Sequence, residues 1–241
     1  MQVDVVDLRA FYAERLGVVA ARLIGEKLKA RWPSVAGDRV LGLGYAAPYL
    51  QGFDGPAERL IAFMPARQGV VNWPPSGPNA AALVDDDALP LPDASIDRVL
   101  VIHSLEMAER ERDQLREIWR VLAPGGRILL VVPNRRGIWA RADGTPFGYG
   151  RPSPRGQLSE LLRDTMFSPL GWSGALAMPP INRRLWLRSG AAWERTGGLI
   201  WPAFAGVIIV EATKQLYQGL PARRRSRAKP AFRPALAPPG A

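Results

Sequence analysis

Several groups of residues in this 241-residue chain are of types that do chemistry. His103 is the only histidine, and it stands just past the apolar run Val99-Leu100-Val101-Ile102. An imidazole titrates near neutrality, so it can take a proton from a hydroxyl or an amine. Gly42-Leu43-Gly44-Tyr45 closes another apolar run, and glycines at such a place let backbone come close to a ligand. Asp85, Asp86 and Asp87 form an acidic turn, which on its residues alone reads as a solvated loop ahead of a strand. Residues 134–157 interleave Arg135, Arg136, Arg141, Arg151 and Arg155 with Trp139, Phe147 and Tyr149, a mixture suited to an anionic or planar ligand.

The elements that must hold these groups follow from periodicity. Residues 99–102 are apolar at every position, as in a strand covered on both faces of a parallel sheet. Leu105, Leu115, Ile118, Trp119 and Leu122 then recur at helical spacing, with charged residues between them, and predict one amphipathic helix. Ala123-Pro124-Gly125-Gly126 stops it, since proline cannot continue the ladder and glycine accepts a left-handed cap. A second apolar run over 128–132 completes a βαβ unit. The same reading gives a helix over 4–31 with Asp4 or Asp7 as cap, a strand over 60–64 and a loop over 67–78. Further on it gives a helix over 158–167, a strand over 170–178, a helix over 184–196 and a last strand over 207–210. The strands place His103, and with it the 134–157 loop, at the carboxyl edge of the sheet, where open α/β folds bind ligands.

The stretch from 84 to 126 resembles the class I S-adenosylmethionine-dependent methyltransferases, in particular the type 11 subfamily related to ubiquinone and menaquinone biosynthesis. Leu89-Pro90-Leu91, Asp93, Ser95, Asp97, Leu105-Glu106, Glu117-Ile118 and Arg120-Val121-Leu122 fall on the family pattern without a gap. The resemblance implies an α/β fold, Rossmann-like and doubly wound, with a seven-stranded, mostly parallel sheet, helices on both faces and an antiparallel final strand. It implies S-adenosylmethionine as cofactor, with Gly42, Gly44 and Tyr45 bordering its methionine part and Asp85 and Asp86 reading adenine. His103 and the 134–157 loop, with Trp139, Phe147, Tyr149 and Arg151, would then face the acceptor or a partner. The chain also departs from the family. Gly42 stands where the family has an acid, Ala46 and Pro48 where it has glycines, and Met64-Pro65 where an acid binds the ribose.

Composition bounds the rest. The chain is long enough for one α/β domain, placed at 1–220 with an N-terminal helical segment over 1–33. The formal charge is +10, yet Arg223, Arg224, Arg225, Arg227, Lys229 and Arg233 supply six of those charges in a Pro/Ala-rich tail over 221–241 that is expected to be disordered. Nucleic-acid binding is therefore expected only through that tail. Cysteine is absent, which excludes disulfides, thiolate metal sites and cysteine nucleophiles, and one histidine without cysteine makes no zinc site of the usual kind. The longest apolar stretch, 197–210, is too short to span a bilayer, and the expectation is a cytoplasmic chain.

Two functions are consistent with these residues. One is methyl transfer from S-adenosylmethionine to a small-molecule or protein acceptor, a reaction that rests mostly on positioning. The other is a methyltransferase-like protein that has lost the reaction and serves as scaffold or regulatory partner of another protein, since fold does not fix function. The oligomeric state is left open.

Overall fold

Val99, Leu100, Val101 and Ile102 lie in strand β4 (Ile96–Ile102), all shielded from solvent. Successive side chains of a strand point to opposite faces. Val99 and Val101 accordingly join one apolar cluster, and Leu100 and Ile102 another. The computed structural model describes residues 3–53, 55, 57–142, 144–182 and 204–217. The expected helix over 184–196 and the basic tail lie outside the described residues.

Seven strands form one sheet in the order β3-β2-β1-β4-β5-β7-β6. The others are β1 (Arg39–Gly44), β2 (Arg59–Pro65), β3 (Ala81–Val84), β5 (Leu122–Pro133), β6 (Phe167–Ala175) and β7 (Val207–Lys214). β3, β2, β1, β4 and β5 run parallel, while β7 is antiparallel to both β5 and β6. The sheet is therefore mixed, and the expected mostly parallel, doubly wound arrangement is corrected. β7 inserts between β5 and β6, so one reversed strand makes two antiparallel ladders. Between β2 and β3 the chain crosses over through residues 66–80 without a helix, and Trp73 is buried against the sheet there instead.

Helices cover both faces. α1 (Val5–Ala13), α2 (Arg15–Arg31) and the short α3 (Ala47–Leu50) pack on one side, and α4 (Glu111–Val121) and α5 (Arg155–Asp164) on the other. The single helix expected over 4–31 is two helices, broken at Glu14 in an extended conformation. Gly17 makes the corner, because a Cβ there would stand 1.9 Å from the Phe11 carbonyl oxygen. Asp4 does cap α1, its carboxylate accepting from the Val6 and Asp7 amides. The helix expected from Leu105 begins only at Glu111. Leu105–Met107 is a separate 3₁₀ turn, ended by an extended Ala108, and Leu105 still reaches the α4 cluster. β5 starts at Leu122, directly after the helix, and takes in the Pro-Gly-Gly turn with Gly125 at φ +75°. α5 stops at Asp164 because Phe167 already opens β6, shifting that strand from the expected 170–178.

The loop before β4 is fixed by one side chain. Arg120 donates to the carbonyls of Leu91 (2.9 Å) and Leu89 (3.0 Å), to Glu117 (2.6 and 2.9 Å) and to Asp93 (2.5 Å). Glu117 in turn accepts from the Leu89 amide at 2.8 Å. This clamp explains why Leu89, Asp93, Glu117 and Arg120 recur together in the sequence pattern, and it sets where Asp85 and Asp86 lie. Among the described residues no helix is long and apolar enough to cross a membrane.

Candidate functional site at the carboxyl edge of the sheet

Gly44 ends β1 at φ +85°, and a Cβ there would stand 2.2 Å from the Ile102 carbonyl oxygen and 2.8 Å from the Ser104 side chain. Only glycine fits so close an approach in that conformation. The Tyr45 amide then donates to the same Ile102 oxygen at 3.0 Å, lacing the ends of β1 and β4 together. His103 follows at φ +53°, an uncommon conformation for a residue with a side chain and one that clusters at functional sites. Gln68 holds it there, its amide nitrogen donating to the His103 carbonyl at 2.8 Å, while the Gln68 carbonyl accepts from Val5 at the start of α1 (2.7 Å). α1, the 66–68 corner and the ends of β1 and β4 thus converge.

A polar chain runs through this convergence. His103 Nε2 is 2.7 Å from the Tyr12 hydroxyl, which is 2.8 Å from the Tyr49 hydroxyl. On the other ring nitrogen, Nδ1 faces Glu106 Oε1 at 3.5 Å, beyond a good hydrogen bond. The His103 and Glu106 side chains are each 1% exposed. Burial pushes the Tyr12 hydroxyl well above the ordinary tyrosine value, and the neighbouring Tyr49 adds to the effect. Tyr49 is raised by burial as well, against a smaller lowering from its bond to Tyr12. Both phenols therefore stay neutral at physiological pH. The Tyr12 ring stacks on Tyr45 (5.5 Å between centroids, 22° between planes), and Phe147 lies tilted against His103 at 4.9 Å. An imidazole with a carboxylate on one nitrogen and a phenol on the other can hold or pass on a proton.

Toward β3 the edge is polar. Asp86 is buried, ion-paired with Arg67, and accepts from Gln114 at 2.7 Å; Gln114 is also 2.7 Å from Ser104 Oγ. Burial raises the Asp86 carboxyl above the ordinary aspartate value, and Arg67 pulls against it. Asp85 is exposed and borders a cavity of about 260 Å³, with Arg67 and Arg110 on its other walls. Several buried acceptor oxygens along this edge have no hydrogen-bond donor: both carboxylate oxygens of Glu106, Gln68 Oε1 and Gln114 Oε1. Arg67 Nε and His103 Nδ1 are left unpartnered there too, and buried polar atoms are rarely left so.

The structure brings Gly44, Tyr45 and His103 together and sets Asp85 and Asp86 beside them across Gln114 and Ser104. Gly42 is not at the crevice surface. It lies inside β1, where a Cβ would stand 2.7 Å from both Ala46 Cβ and Leu50 Cδ1. Trp139 and Phe147 belong to the core rather than to a loop surface, and the Trp139 indole donates to the Met178 carbonyl at 2.6 Å. Tyr149 is half-buried, and Arg151 is exposed with its amide bound to the Glu106 carbonyl at 2.8 Å. Sequence reasoning missed Tyr12, Tyr49, Gln68 and Gln114. Tyr12 was legible only as part of an apolar stripe, and the two glutamines carry no local signal. Glu106 was visible in the Leu-Glu pair of the family pattern, without its burial. Among the described residues no cluster of histidine, cysteine, aspartate or glutamate could hold a metal ion.

A family model described as a methyltransferase domain matches residues 66–130, from the Arg67 corner through β5. No curated protein matches the chain significantly. Solved structures do resemble it. A chain from the complex between the Haloferax volcanii Trm112 methyltransferase activator and a methyltransferase is 18% identical, with a TM-score of 0.63, covering 89% of this chain and 100% of that one. The 1,6-didemethyltoxoflavin-N1-methyltransferase of Burkholderia thailandensis, solved with 1,6-didemethyltoxoflavin and S-adenosylhomocysteine, is 19% identical with a TM-score of 0.53, covering 81% and 78%. The [4+2]-cyclase SpnF is 21% identical with a TM-score of 0.56, covering 81% and 80%. At these identities the likeness establishes the fold, and the cyclase among them shows that the fold carries more than one kind of protein.

Proposed function

We propose that the chain is a class I S-adenosylmethionine-dependent methyltransferase acting on a small-molecule or protein acceptor. The observation that carries this reading is the set of four donor-less acceptors, Glu106 Oε1 and Oε2, Gln68 Oε1 and Gln114 Oε1, beside the close-approach glycine Gly44. A cationic cofactor with an ammonium, two ribose hydroxyls and an adenine amine would supply donors to these acceptors. The methyltransferase-domain match over the same stretch supports it. Tyr12 is buried against Tyr45 and His103 where the methionine part would lie, so on this reading the site opens only when Tyr12 withdraws.

When bound, the cofactor supplies an electrophilic methyl group on a sulfonium sulfur. Asp85 and Asp86 would hold the adenine end, with Asp86 kept in place by Arg67 and Gln114. With Tyr12 withdrawn, His103 Nε2 is free to accept the proton that an acceptor hydroxyl or amine loses as the methyl passes to it. Glu106 stands behind Nδ1 to stabilise the resulting imidazolium. Tyr45, Phe147 and Phe11 keep water from the site, which strengthens these charge interactions.

The second reading is a methyltransferase-like scaffold or regulatory partner of another protein. It is favoured by the packing of Ala46 and Leu50 over Gly42, by buried Met64 at the end of β2 where an acid would hold the ribose, and by Tyr12 in the crevice. Calorimetric titration with S-adenosylmethionine separates the two. Micromolar binding weakened about tenfold or more by Asp85→Ala supports the enzyme. No heat at millimolar cofactor, with a stable protein partner recovered, supports the scaffold.

A further inference from the structure

A second cavity, of about 420 Å³, opens at the other end of the same carboxyl edge. That volume is within the range of small-molecule sites, roughly 300–1,000 Å³. Its walls come from the start of α5, the end of β6, the start of β7 and Asn134 just after β5. Arg136 and Arg155 line it, and neither closes an ion pair with a described carboxylate, whereas Arg39, Arg67, Arg98 and Arg120 all do. The Arg155 guanidinium lies 4.8 Å over the Trp172 ring, which holds the charge at the cavity wall. α5 begins here at Pro154 without a side-chain cap, so the first amide groups of a ten-residue helix add partial positive charge. No acid is among the described lining residues, and Trp172, Val207 and Ile208 supply apolar surface.

We infer that this cavity binds a small molecule that carries a phosphate or carboxylate group on a flat apolar body. The anion meets Arg136, Arg155 and the first amides of α5, and the body lies against Trp172 and Ile208. The inference does not depend on methyl transfer, because nothing in it uses the cofactor.

Titration calorimetry of the full chain with phenyl phosphate, benzoate and uncharged phenol tests it. Saturable binding of at least one anion is expected, at least about tenfold tighter than phenol, with a roughly tenfold loss in Arg155→Gln. The tighter of the two anions identifies the headgroup. Phenol binding as well as the anions, an Arg136→Gln/Arg155→Gln double variant binding like wild type, or no binding of either anion at about 10 mM would each overturn the inference. Both arginines are exposed, so these variants keep the fold, which circular dichroism checks. A chain that fails to bind S-adenosylmethionine yet binds the anion loses the proposed reaction and keeps this site.

Discussion

Two clusters of charge frame β4, and they are built in opposite ways. At its start, Arg120, Glu117 and Asp93 form a partly solvated network in which each guanidinium nitrogen finds an acceptor and Glu117 also takes a backbone amide. At its end, Glu106 and His103 are sealed from solvent, stand 3.5 Å apart, and leave both carboxylate oxygens without a donor. A satisfied network holds a loop in place. An unsatisfied one costs stability, so a fold that keeps it does so for a ligand or a reaction rather than for its own integrity.

The largest effect is expected at the His103 end of β4. Gly44→Ala forces a Cβ to 2.2 Å from the Ile102 oxygen at positive φ, and we expect a loss of at least about 3 kcal/mol, or no folded protein, by chemical denaturation. Arg120→Ala should cost about 2 kcal/mol, since two carbonyls and Glu117 lose a charged donor. That loss depends on pH. The hydrogen bond from Arg120 holds the Glu117 carboxyl below its ordinary value of 4.5. A depressed carboxyl stabilises the fold above its unfolded value and loses that contribution as pH falls through its folded value. The gap between wild type and Arg120→Ala should therefore be full at pH 7 and shrink below about pH 4.5 in denaturation series. Glu106→Gln is the smallest and opposite effect. Replacing a donor-less buried carboxylate with a neutral amide should leave the melting temperature unchanged or raise it by about 2 °C. A drop of the size seen in Arg120→Ala would make Glu106 structural and erase the contrast.

The two clusters also differ in how legible they were. The Arg120 clamp uses residues within thirty-odd positions that recur in a family pattern, so Leu89, Asp93, Glu117 and Arg120 announced the loop, the helix and the following strand together. β4 was readable because four consecutive apolar residues admit few alternatives. The His103 cluster joins α1, β1, the 66–68 corner and β4, and only the fold brings Tyr12 within 2.7 Å of His103. Tyr12 read as one more apolar position of a helix, and Trp139 and Phe147 as loop aromatics, because sequence carries the hydrophobicity of a residue but not which side of a long loop is buried. The mixed sheet was half visible: the reversed last strand was expected, while its insertion between β5 and β6 is a matter of tertiary order.

On the proposed function, Tyr12 closes a cofactor site beside Gly44. S-adenosylhomocysteine titrated calorimetrically into wild type and into Tyr12→Ala tests it most directly. If a closed state must open before binding, apparent affinity is reduced by the open fraction, and removing the covering side chain restores it. Both chains should bind S-adenosylhomocysteine, Tyr12→Ala at least about fivefold more tightly. Equal or weaker binding in the variant, or no heat with either chain at millimolar ligand, would contradict it.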